Sequence, residues 1–78
     1  MLDVSAVEAM LKTAFPEGTI TVRDLTGTSY HFEATIVSAR FDGVSRVERH
    51  RMVYGSLGTA MSGPIHALAL RTLAPSEA

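Results

Sequence analysis

Apolar residues recur in three different rhythms along the chain, and the changes of rhythm mark its elements. Val4, Val7, Leu11 and Ala14 follow three- and four-residue steps, with Met10 at the margin, so they form one stripe of a first helix. Asp3 and Ser5 compete as its N-cap, and Ser5 with Glu8 has the spacing of a capping box. Pro16 and Gly18 end it. Thr19 to Arg23 then alternates and is β-branched, which predicts a strand. Asp24 to Ser29, with Gly27, reads as a short turn. Tyr30 to Ser38 forms a second strand, with Phe32, Ala34 and Ile36 on one face and His31, Glu33, Thr35 and Val37 on the other. So short a link implies an antiparallel hairpin.

The helical rhythm returns after Phe41-Asp42-Gly43. Ser45 and Glu48 make a capping box for a helix running to about Met61. Val47, His50, Tyr54, Leu57 and Met61 form its apolar stripe, widened by Val53 and Ala60, while Arg46, Arg49 and Arg51 fall nearer the exposed side. Gly55 and Gly58 each weaken a helix interior by roughly 1 kcal/mol relative to alanine. Ser62-Gly63-Pro64 is a stop signal. Ile65 to Thr72 is apolar on both faces, which predicts a third strand buried within the sheet. Pro75 opens at most a vestige of a last helix. The order α-β-β-α-β(-α) is an α+β domain: a small three-stranded mixed sheet with helices packed on it.

Composition narrows the function more than the fold. Seventy-eight residues make a single domain, 1–78, and an apolar share of 46% supplies one core. There is no cysteine, so no disulfide staples the chain, which suits a reducing cytoplasm. The chain alone therefore brings no thiolate to a zinc or iron–sulfur site. A net charge of −1 gives no global attraction to nucleic acid. The first residues have an early acid and no basic region, unlike a signal peptide. No apolar run approaches the roughly 18–20 residues that span a bilayer, so no membrane partner is expected.

His66, just after the Gly-Pro turn, is the main candidate metal ligand, since imidazole suits iron, copper and zinc. A histidine satisfied by a backbone carbonyl is the plainer reading of that position. His31, His50 and His66 are too far apart in sequence to spell a local metal motif. No nucleophile–base motif accompanies them, so no catalytic residue is assigned and the chain is read as a non-enzyme. Arg40, Arg46, Arg49 and Arg51 are four of the seven Lys/Arg residues. They suit a phosphate-binding face on DNA or an acidic docking face on a partner. The alternative is a solvated helix side with weak ion pairs to Asp42 and Glu48. Gly55-Ser56-Leu57-Gly58 spells a GxxG, but inside the helix and without a basic residue, where it has no clamp function.

Several of these pieces in order carry a resemblance. Tyr30-His31-Phe32, Val37-Ser38, Phe41-Asp42-Gly43, Arg49-His50-Arg51-Met52-Val53-Tyr54, Leu57 and Ile65-His66-Ala67-Leu68-Ala69-Leu70 resemble the signature of the BolA family, over roughly residues 3 to 75. The resemblance implies a fold similar to type II KH domains. It implies a monothiol glutaredoxin as partner, with a [2Fe–2S] cluster shared between the two proteins and glutathione. His66 matches the family's cluster-ligating histidine. A second ligand in the family comes from the turn between the first two strands, as cysteine or histidine; here only His31 is available for it. The resemblance also implies roles in iron–sulfur trafficking or iron and redox regulation, and, for members that act as transcriptional regulators, binding to DNA.

Overall fold

A computed structural model describes residues 3–25, 31–58 and 67–78. The first helix, α1, spans Val4–Ala14. Asp3 is its N-cap: the carboxylate accepts from the Ala6 N–H at 2.9 Å. Ser5 lies inside the first turn instead, so the rival cap and its capping box are not formed. Phe15 closes the helix, its N–H donating to the Leu11 carbonyl. Strand β1 (Thr19–Asp24) pairs antiparallel with β2 (His31–Val37). A 3₁₀ turn, Ala39–Phe41, leads to α2 (Arg46–Leu57). There the Ser45 hydroxyl accepts from the Glu48 N–H at 3.3 Å, which is half of the expected capping box; the Glu48 carboxylate turns to Arg51 and not back to the Ser45 N–H. Gly58 caps the end of α2 with a φ of 55°, a conformation that favours glycine. The helix is thus shorter than expected, and only Gly55 of the two glycines is interior. Residues 59–61 of the expected helix lie outside the described residues.

Strand β3 (Ala67–Leu73) pairs parallel with β2, and the sheet order is β1-β2-β3. The central strand is therefore β2, and β3 is an edge, contrary to the reading of Ile65 to Thr72 as a buried strand. Leu68, Leu70 and Thr72 turn toward the helices, whereas Ala69 and Arg71 on the opposite face are exposed. The outer rim of β3 meets no further strand among the described residues, and side chains engage two of its carbonyls. Ser38 donates its N–H to Leu73 at 2.9 Å, so the alternation of the ladder turns the backbone groups of Leu68, Leu70 and Thr72 away from β2. Tyr54 donates its hydroxyl to the Leu68 carbonyl at 3.2 Å, and Arg49 donates to the Thr72 carbonyl at 3.2 Å. Covering a rim in this way protects it from pairing with other chains.

Both helices pack on one face of the sheet. Val7, Leu11 and Phe15 meet Val22, Phe32, Ala34 and Ile36, and Phe41, Val53 and Leu57 complete the core. The stripe expected on α2 is rotated. Val47 is 61% exposed and Tyr54 39% exposed, while Arg49 turns inward with only 12% of its side chain accessible. Residues 49, 53, 56 and 57 share that inner side, so the helix buries a guanidinium where valine was expected. The opposite sheet face is polar, with Arg23 bonded to its register partner Glu33 at 2.8 Å.

Arg49 also fixes the end of the chain. Pro75–Glu77 is a single 3₁₀ turn rather than a helix. It is held firmly: the Glu77 carboxylate accepts from Arg49 at 2.6 and 3.1 Å and from the Ala74 N–H at 2.7 Å. The Arg49 guanidinium, first through its hydrogen bond, lowers the Glu77 carboxyl from the ordinary 4.5 to about 2. A lowered carboxyl contributes stability above its unfolded value and loses it as pH falls toward the folded one. Glu77→Gln is therefore expected to melt below the parent at pH 7. The gap should close as pH falls through about 2. Thermal melts followed by circular dichroism from pH 7 down measure it; a gap unchanged by pH would show that the carboxylate charge is not what Arg49 uses.

Candidate functional site

Two groups of residues stand out, one at each end of the β2–β3 pair. At the first end, His31 opens β2 and is exposed. Its register partner on β3 is Ala67, the residue that follows His66 in sequence. His66 itself lies outside the described residues. The parallel crossover through α2 thus sets the start of β3 beside the start of β2, an association that spacing in the sequence conceals. Among the described residues the donor at this end is the His31 imidazole; the chain holds no cysteine. Among the described residues no three histidine, cysteine or carboxylate groups converge.

At the second end lie the arginines. Arg40 donates to the Ala14 carbonyl at 2.6 Å and stands 5.2 Å over the Phe15 ring. Arg49 donates to Val44 at 2.7 Å, besides its bonds to Thr72 and Glu77, and lies 5.9 Å over Phe41. Its guanidinium is held further above its ordinary range by the Glu77 carboxylate. Arg51 pairs with Glu48 at 2.8 Å, one turn away on the exposed side of α2. Arg46 is exposed and makes no ion pair with a described residue. Three of the four arginines thus have partners inside the chain, and two of them tie separate elements together. Asp42 acts on Arg49 through its charge without forming an ion pair.

His50 is half-buried, edge-on to the Tyr54 ring at 6.4 Å. Sequence reasoning missed two residues here. Glu77, in what the sequence offers only as a vestige of a last helix, carries the bidentate bond to Arg49. Arg71 is the only charged residue of β3, and it lines one cleft with Arg46 and His50. A lone arginine within an apolar run was the available signal.

The comparison that decides the family covers almost the whole chain: the profile described as BolA-like protein matches residues 2–77. The chain belongs to the BolA-like family. Among curated BolA relatives, mouse BolA-like protein 1 is 32% identical over 80 residues, covering 94% of this chain and 58% of its own length. The protein named DNA-binding transcriptional regulator BolA from Escherichia coli K12 is 43% identical over 51 residues, covering 65% of this chain and 49% of its own. The chain thus spans only about half the length of such curated relatives. The solved structure of a BolA homologue from Coxiella burnetii superposes with a TM-score of 0.85 at 32% identity, covering 99% of this chain and 96% of the other. Two helices on one face of a three-stranded mixed sheet are the BolA architecture.

Proposed function

We propose that this chain is a non-enzymatic BolA-like adaptor that docks on a monothiol glutaredoxin and shares a [2Fe–2S] cluster with it, in iron–sulfur trafficking or iron and redox regulation. The observation that supports it is the register of β2 and β3, which sets His31 opposite the neighbour of His66 within a chain matched to the family from residue 2 to 77. His66 is the main ligand in this reading and His31 the second. A cluster held by imidazole on one side and thiolate on the other has a higher potential than one held by four cysteines. The thiolates come from the glutaredoxin and glutathione, because this chain has no cysteine. What the chain itself supplies is an exposed imidazole at a sheet end, on a strand pair that holds its position. Work in the cytoplasm accords with the absence of cysteine.

The test is to add the protein to a cluster-loaded monothiol glutaredoxin and record visible circular dichroism. The spectrum is expected to change on addition, to stay unchanged with His66→Ala, and to change less with His31→Ala. A parent spectrum identical to that of the glutaredoxin alone would overturn cluster sharing; size-exclusion chromatography of the same mixture tests docking separately.

A second reading is regulation through DNA, favoured by the name of the Escherichia coli relative. Arg46 is the residue best placed to meet a phosphate, since Arg40, Arg49 and Arg51 are already engaged. Affinity for duplex DNA would fall steeply with salt and weaken with Arg46→Ala. No retardation of duplex at low salt would remove this reading.

A further inference from the structure

We propose that the cleft between the first half of α2 and the second half of β3 binds the phosphate of a small phosphomonoester. The cleft is about 420 Å³ and is lined by Arg46, His50, Leu70, Arg71, Thr72 and Leu73. Its volume falls within the range of small-molecule sites and is far too small for a duplex.

The chemistry of the walls is one-sided. Two arginines and an imidazole line the cleft, and no carboxylate does. Neither Arg46 nor Arg71 makes an ion pair with a described residue. Of the nearby acids, Glu77 is engaged with Arg49 and the Ala74 N–H and Glu48 with Arg51, while Asp42 acts on Arg49 through its charge and does not line the cleft. On the β3 side, the backbone N–H groups of Leu70 and Thr72 point away from β2 and have no acceptor among the described residues. Guanidinium forks together with backbone donors match the several acceptor oxygens of a phosphate. Leu70 and Leu73 add an apolar wall for the organic part of the ligand.

The site is built before any ligand arrives. Arg49 braces the wall behind Thr72 through the Thr72 carbonyl and through Glu77. A fixed wall limits the ordering cost of binding. The proposal is independent of the adaptor reading, because His31 and His66 take no part in it.

Titration of ¹⁵N-labelled protein with adenosine monophosphate, and in parallel with adenosine, tests it by NMR. The phosphate-bearing probe is expected to move the amides of Leu70 and Thr72, and adenosine to leave them in place. Arg46→Ala and Arg71→Ala are each expected to weaken the response at least tenfold. Both side chains are exposed, and an unchanged melting temperature confirms that each variant folds. The proposal is overturned by an absence of shifts, by equal shifts with adenosine, or by full affinity in the double variant. Movement of the same amides by a short DNA duplex but not by the monophosphate would assign the arginines to nucleic acid and also overturn it.

Discussion

Replacing Phe41 by alanine is expected to cost about 3–5 kcal/mol of folding stability. Phe41 has no accessible surface, and its ring lies 5.2 Å from that of Phe15 at 53°. The pair joins the 3₁₀ turn after β2 to the end of α1, so the cavity opens where two separate elements meet. The backbone of the turn is held independently of the ring. The Phe41 N–H donates to Ser38 at 3.1 Å, and its carbonyl accepts from Val44 at 3.0 Å. Little collapse can therefore fill the void, which places the cost toward the upper part of the range. A chain of 78 residues has a total stability of roughly 4–12 kcal/mol. The loss is thus a large share of the whole. Urea unfolding followed by circular dichroism should show a much lower midpoint with an unchanged slope. Phe41→Leu, which keeps most of the volume, should cost less than about 1.5 kcal/mol. Equal losses for the two variants would show that ring volume is not what the site requires.

Gly18→Ala is the second large effect, and it acts by overfilling. A Cβ on Gly18 would lie 2.9 Å from the Val37 carbonyl oxygen and 3.2 Å from that of Phe15. Both are backbone atoms, so neither can swing aside. The turn is also pinned: the Gly18 N–H donates to Phe15 at 2.9 Å, and the Lys12 ammonium donates to the Gly18 carbonyl at 2.6 Å. Beside it, the Ser38 hydroxyl donates to the Glu17 carboxylate, and this bond holds the Glu17 carboxyl below its ordinary range. The methyl group should cost about 1–3 kcal/mol. Gly55→Ala provides the contrast. No atom lies within 4 Å of a Cβ there, and the residue is inside α2. That change should stabilise by about 0.5–1 kcal/mol. The same substitution with opposite signs, read from two thermal melts, isolates the close approach at Gly18. A stabilised Gly18→Ala would refute it.

Local signals in the sequence identified the elements well, and tertiary arrangement set the limits of that reading. The hairpin, the alternation of Phe32, Ala34 and Ile36, and the Ser45 cap all follow from short-range chemistry, and the structure has them. Strand order does not follow from such chemistry. An apolar run such as Ile65 to Thr72 has the same composition whether it is buried between strands or covered at a rim by Tyr54 and Arg49. The α2 stripe misled for a related reason. Arg49 is charged, so periodicity places it outside, yet Val44, Thr72 and Glu77 satisfy its donors and let it turn inward. Glu77 became legible only with it, because the two are far apart in sequence. At the histidine end, the motif around His66 was readable, but its relation to His31 depends on a parallel register that no spacing rule supplies.

The central position of β2 has a consequence for how the chain acquires its shape. One neighbour, β1, is adjacent in sequence and can zip onto it early as a local hairpin. The other, β3, arrives only after the whole of α2 has been made, and loop closure over such a distance is slow. Until β3 docks, the far side of β2 has bare peptide groups, open to self-association. Conditions or variants that delay α2, such as loss of the Ser45 cap, should raise the aggregated fraction during expression even where the finished protein is hardly less stable.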